Sequence, residues 1–62
     1  MAKIGDRVRL VYTSDPYTNL RPGAEGVVDD IDDIGTIFVR WDNGSYLGVV
    51  PGEDRIEVIG TF

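Results

Sequence analysis

Thr36-Ile37-Phe38-Val39-Arg40-Trp41-Asp42-Asn43-Gly44-Ser45-Tyr46-Leu47-Gly48-Val49-Val50 decides the fold of this chain. Two runs rich in β-branched and aromatic residues flank Asn43-Gly44, a pair that tolerates the positive φ both central residues of a type I′ turn require. The stretch reads as a tight hairpin with strands over 36–41 and 45–50. A two-residue turn places Trp41 opposite Tyr46, Val39 opposite Gly48 and Ile37 opposite Val50. Ile37, Val39 and Val50 are then expected in the interior, with Trp41 and Tyr46 stacked at its mouth. The other face carries Phe38, Leu47 and Val49, with Arg40 as its charge. A hairpin with one wet side should alternate cleanly, so this second face needs cover. Either a long upstream loop supplies it through Tyr17 and Leu20, or another protein chain does.

Upstream, Asp6-Arg7-Val8-Arg9-Leu10-Val11-Tyr12 alternates with Val8, Leu10 and Tyr12 on one face, the period of a half-buried strand. Residues 13–23 are rich in turn formers, and Pro16 and Pro22 bias their predecessors away from helix, which predicts a long loop. Glu25 to Ile31 forms a second strand that fades into Asp29-Asp30-Ile31-Asp32-Asp33. Downstream, Pro51-Gly52-Glu53-Asp54 is a turn and Arg55-Ile56-Glu57-Val58-Ile59 a short fifth strand. Five short strands without helical periodicity predict an all-β fold: one domain over 1–62, a small five-stranded antiparallel barrel. Its expected interior is Val8, Leu10, Val27, Ile37, Val39, Ile56 and Val58.

At 62 residues there is room for one core, since a domain of this size buries only about 60% of its unfolded surface. The absence of cysteine removes disulfides and thiolate chemistry, and the absence of histidine removes the commonest acid-base group and metal ligand. No apolar run is long enough to span a bilayer and no secretory signal opens the chain, so a cytoplasmic location is expected. A net charge of −5 repels phosphate backbones, and nucleic-acid binding is not expected, although Arg7, Arg9, Arg21 and Arg40 could form a local patch.

The order of motifs resembles the SH3-like small barrels. Gly5-Asp6-Arg7-Val8, Gly23-Ala24-Glu25-Gly26-Val27-Val28 and Val39-Arg40-Trp41-Asp42-Asn43-Gly44-Ser45-Tyr46 are similar to the mind-bomb type of SH3-like domain and to KOW-type barrels. Through Pro51-Gly52-Glu53-Asp54 the chain also resembles a family of short bacterial and phage-borne proteins classed as a domain of unknown function. The resemblance implies an SH3-like fold and no particular activity. In such a barrel the first and last strands pair, which implies a cross-strand ion pair of Glu57 with Arg7 or Arg9, worth about 0.2–1 kcal/mol.

Asp29 to Gly35 has oxygen ligands at alternate positions before a glycine, but a calcium-loop count from Asp30 puts Ile34 at position 5 and Trp41 at position 12. No metal or cofactor is expected, and Asp29, Asp30, Asp32 and Asp33 read as a solvated acidic loop. Gly23-Ala24-Glu25-Gly26 has the form of an RNA-clamping loop, yet Glu25 would repel phosphate; the glycines read as backbone permission at a strand entry. Tyr12, Tyr17, Trp41 and Tyr46 could form a peptide groove, or simply fill a small core. Ser14 and Ser45 lack a histidine partner, and no catalytic residue is expected. The expected function is a non-enzymatic protein-binding module, with Tyr17, Phe38, Arg40, Leu47 and Val49 facing a protein partner or a second copy in a homodimer. The alternative is a small acidic inhibitor or decoy, of the phage-encoded kind, that occupies a nucleic-acid-binding protein through the acidic loop.

Overall fold

The strands β1 (Arg7–Tyr12), β2 (Glu25–Ile31), β3 (Ile37–Trp41), β4 (Tyr46–Val49) and β5 (Arg55–Gly60) follow the turn signals of the chain and pair antiparallel in one sheet. The computed structural model describes residues 2–15 and 18–61, and contains no helix among them. In the sheet order β4-β3-β2-β1-β5, the first strand meets the last, with Arg9 opposite Glu57. The sheet coils into a barrel-like fold of 29 × 24 × 17 Å around Val8, Leu10, Leu20, Val28, Val39, Trp41 and Val49.

The β3–β4 turn corrects the expected type I′ geometry. Among the described residues no non-glycine residue has positive φ, so Asn43 is not left-handed, whereas Gly44 has φ +92°. Gly44 N–H donates to the Trp41 carbonyl and Trp41 N–H to the Ser45 carbonyl, closing a three-residue loop Asp42-Asn43-Gly44. This is the arrangement of a tight turn followed by a left-handed residue that forms a bulge. The β2–β3 connection repeats it: Gly35 N–H donates to Asp32 O, Asp32 N–H to Thr36 O, and Gly35 has φ +88°. Gly44→Val forces a β-branched residue into that region at a cost of about 1–2 kcal/mol. A melting temperature lower by roughly 5–15 °C is expected, and an unchanged melt would count against the left-handed position.

One extra loop residue shifts the whole hairpin. Val39 faces Leu47, Ile37 faces Val49, Phe38 faces Gly48 and Arg40 faces Tyr46. A one-residue slip transfers a strand's side chains to the opposite face. Val49 is therefore buried and Leu47 packs on the core, while Val50 is exposed at 39%. The expected second face of Phe38, Leu47 and Val49 does not exist as a unit: Phe38 stays outside and the other two go in.

A second phase change sits in β2. Val28 is buried, and Val27, expected inside, is only half-buried and opposite Arg7 and Arg40. Gly26 takes the inner position, opposite both Val8 and Trp41. Between Val28 and Asp30 the register with β3 shifts by one residue, which brings Ile31 back against the core. Bulges of this kind re-aim side chains locally. Tyr12 leaves the core through a similar shift after Leu10 and is 57% exposed. Val58 is 41% exposed because β5 is an edge strand.

Among the described residues, Leu20 and Asp54 anchor the long loop. Leu20 is buried in the core, as its apolar character suggests, whereas Tyr17 lies outside the described residues. Asp54, in the β4–β5 turn, is the second anchor: it accepts from Ser14 N–H at 2.8 Å, Val50 N–H at 2.9 Å and the Ser14 and Thr13 hydroxyls. Burial opposes the Asp54 charge, but the backbone and hydroxyl donors outweigh it and hold the carboxyl below its ordinary value. A folded pKa below the unfolded one stabilises the fold above the unfolded pKa, and this contribution is lost as pH falls through the folded pKa. Asp54→Ala is expected to lower the melting temperature at pH 7 by an amount corresponding to about 1 kcal/mol. In thermal melts the gap to the parent protein should close below about pH 3.8; a gap constant from neutral to acid pH would contradict the carboxylate's role.

Candidate functional site

The outer face of β2, β3 and β4 carries an aromatic and charged platform. Phe38 and Tyr46 are diagonal neighbours across the β3–β4 ladder, the arrangement in which aromatic rings reach each other. Their centroids are 6.0 Å apart and their planes lie within 7° of parallel. Gly48, opposite Phe38, makes room: a Cβ there would meet Phe38 Cε1 at 3.2 Å and Thr36 Cγ2 at 2.9 Å. Offset stacking of this kind adds about 0.5–1.5 kcal/mol beyond area burial. Tyr46 is nevertheless 53% exposed.

The bulge in β2 places Asp29 beside this pair. Its Oδ2 accepts from the Tyr46 hydroxyl at 3.1 Å and its Oδ1 from Arg40 Nη2 at 3.3 Å. Desolvation, followed by the hydrogen bond to Asp29, raises the Tyr46 hydroxyl above its ordinary pKa, so the phenol stays protonated and donating near neutral pH. Phe38, Arg40, Tyr46 and Asp29 thus form a connected surface with a flat aromatic centre and a charged rim. The hairpin pattern identified Phe38 and Arg40 but sent Tyr46 to the opposite face, because the face of a β4 residue depends on turn length.

The remaining acidic residues do not act together. Asp32 Oδ1 accepts from Ile34 N–H at 3.1 Å and Thr36 N–H at 2.8 Å, closing the hairpin tip, and Asp30 accepts from Ile31 N–H. Among the described residues no group of three or more acidic side chains could hold a metal ion. The arginines are similarly dispersed. Arg9 pairs with Glu57 at 2.8 Å, the expected cross-strand contact, and with Glu25 at 3.8 Å. Arg7 binds both carboxylate oxygens of Asp42 and also reaches Glu25, fastening the β3–β4 turn to β1. The hydrogen bonds from Arg7 hold the Asp42 carboxyl below its ordinary value.

A shallow groove of about 290 Å³ lies between the long loop and the β3–β4 turn, lined by Leu20, Arg21, Pro22 and Trp41 among others. Trp41 is 2% exposed and its Nε1–H has no hydrogen-bond partner among the described residues. Trp41 is thus a core residue, as packing in so small a domain demands.

No helix among the described residues is long and apolar enough to cross a membrane. No curated protein and no solved structure matches this chain. A family model does match, over residues 3–59, a span that takes in all five strands apart from the last residue of β5. The chain therefore belongs to the DUF4314 family, a domain of unknown function.

Proposed function

We propose that this protein is a non-enzymatic, SH3-like binding module of the cytoplasm that engages a protein partner through the outer face of β2, β3 and β4. The observation that carries the reading is the stacked Phe38–Tyr46 pair, held flat over Gly48 while Tyr46 remains 53% exposed. Aromatic residues and arginine are the side chains most enriched at interface hot spots, and here both meet on one rigid sheet face. The lack of cysteine fits a reducing compartment. The acidic-decoy reading has less support, because Asp29 is paired with Arg40 and Asp32 is engaged by backbone amides. Nucleic-acid binding has less still, since Arg7, Arg9 and Arg40 all sit on carboxylates in a chain of net charge −5.

Affinity capture from host lysate with the parent protein and with Tyr46→Ser and Arg40→Glu variants tests the proposal. Loss of a hot-spot side chain costs about 2 kcal/mol or more, so proteins retained by the parent should fall roughly thirtyfold in affinity for either variant. The variants should still melt cooperatively, lowered for Tyr46→Ser by the roughly 5–10 °C that loss of the stack implies, because both side chains lie outside the core. Equal retention by all three proteins, or a salt-sensitive shift of duplex DNA, would refute it.

A further inference from the structure

The charges around the Phe38–Tyr46 platform do not balance. Asp29, Asp30 and Arg40 all act on the Tyr46 hydroxyl, the two carboxylates holding its proton on and the guanidinium opposing them. Asp29 is engaged twice, by Arg40 Nη2 and by the Tyr46 hydroxyl, so its charge and that of Arg40 cancel. Asp30 is left over. It lies directly opposite Phe38 in the β2–β3 ladder, which puts the two side chains next to each other on the outer face. The Asp30 side chain is exposed; its Oδ1 accepts from Ile31 N–H at 2.9 Å, whereas Oδ2 has no partner among the described residues. Arg40 sits two residues further along β3, opposite Val27 and Tyr46, at the other end of the platform. The aromatic centre therefore has a neutralised end at Asp29 and Arg40 and a negative end at Asp30.

We propose that the platform binds an arginine side chain carried by a segment of the partner protein. This inference rests on the binding role given to the platform above and names what the platform recognises. A planar guanidinium stacks on an aromatic face, where the ring quadrupole attracts its charge, and its fork of N–H donors fits a carboxylate. The outer face offers both parts side by side: the half-exposed Tyr46 ring stacked on Phe38, and the Asp30 carboxylate with Oδ2 open to accept. An acidic segment would meet Asp30 as a like charge, and an apolar one would leave it unpaired. Arg40 does not oppose the incoming cation, because its charge is spent on Asp29 through Nη2. Its other N–H donors remain for backbone carbonyls of the same segment, so Arg40→Glu still weakens binding.

The test uses the full chain, isotope-labelled for NMR, titrated with a blocked glycine-serine peptide that carries one central arginine, and with the same peptide carrying citrulline or lysine instead. Citrulline keeps the shape of arginine without its charge. Saturable shifts at Asp30, Phe38 and Tyr46 are expected with the arginine peptide, and binding about tenfold weaker with citrulline, which forfeits both the ring and the carboxylate attraction. Asp30→Asn keeps the acceptor for Ile31 N–H, should melt like the parent, and should bind the arginine peptide about threefold more weakly. Equal binding of the citrulline or lysine peptide, unchanged affinity in Asp30→Asn, or no shift at Phe38 and Tyr46 with millimolar arginine peptide would overturn the inference. The platform itself fails by a different result. Lysate proteins lost with Tyr46→Ser but held undiminished by Asp30→Asn would keep the platform as the binding face and refute the arginine; full retention by Tyr46→Ser would refute both.

Discussion

Gly26→Ala is expected to unfold the domain at room temperature. A Cβ at this position would meet the Arg40 carbonyl oxygen at 2.5 Å, Trp41 Cα at 2.8 Å and Val39 Cγ1 at 2.8 Å. Two of these atoms are backbone of the neighbouring strand β3, so no rotamer change relieves the overlap. Overpacking a well-filled core costs about 1–3 kcal/mol and sometimes more, while a domain of this size rarely draws more than about 3–5 kcal/mol from its core. The strand pair β2–β3 must separate to admit the methyl group. Gly60→Ala is the matched control: its Cβ would meet Arg7 Cβ at an ordinary 3.5 Å, and the melt should hardly change. A cooperative thermal transition for Gly26→Ala within a few degrees of the parent protein would contradict the packing of β2 on β3.

The second large effect belongs to Trp41, the largest fully buried side chain and the only tryptophan in the chain. Trp41→Ala removes an indole from the centre of the core, at a cost of about 3–5 kcal/mol. That is comparable with the whole expected stability, so the variant should lack a cooperative transition by circular dichroism. Trp41→Phe should behave differently. It keeps an aromatic ring and deletes an Nε1–H that has no partner among the described residues, a group whose burial costs about 1–3 kcal/mol. Its melting temperature is expected to lie much closer to the parent than that of Trp41→Ala. Equal loss in the two variants would contradict the reading of Trp41 as a packing residue whose N–H contributes nothing.

Much of this architecture was legible in the chain because it depends on local chemistry. The alternation of Val8 and Leu10, the β-branched runs around Trp41, and the glycines and prolines between them specify five strands and their order of turns. The Arg9–Glu57 pair followed once β1 and β5 were placed side by side. Leu20 could be named as a loop anchor from its apolar character alone. Asp54 could not, because an aspartate in a turn is ordinary until Thr13 and Ser14 are brought to it across the fold.

What tertiary structure decided was phase. Asn43-Gly44 permits both a two-residue and a three-residue loop, and the choice moves Val49 inward, Val50 outward and Tyr46 beside Phe38. The Val27-Val28 pair permits either face, and Val28 shares the inner face with Gly26, where the β3 backbone approaches too closely for any side chain. Exposure of Val58 depends on which strand ends the sheet, a property of the whole topology. Local sequence determined that this chain makes strands and where they turn. The platform and the open edge arose from pairing register and strand order, which are set by packing between residues far apart in the chain.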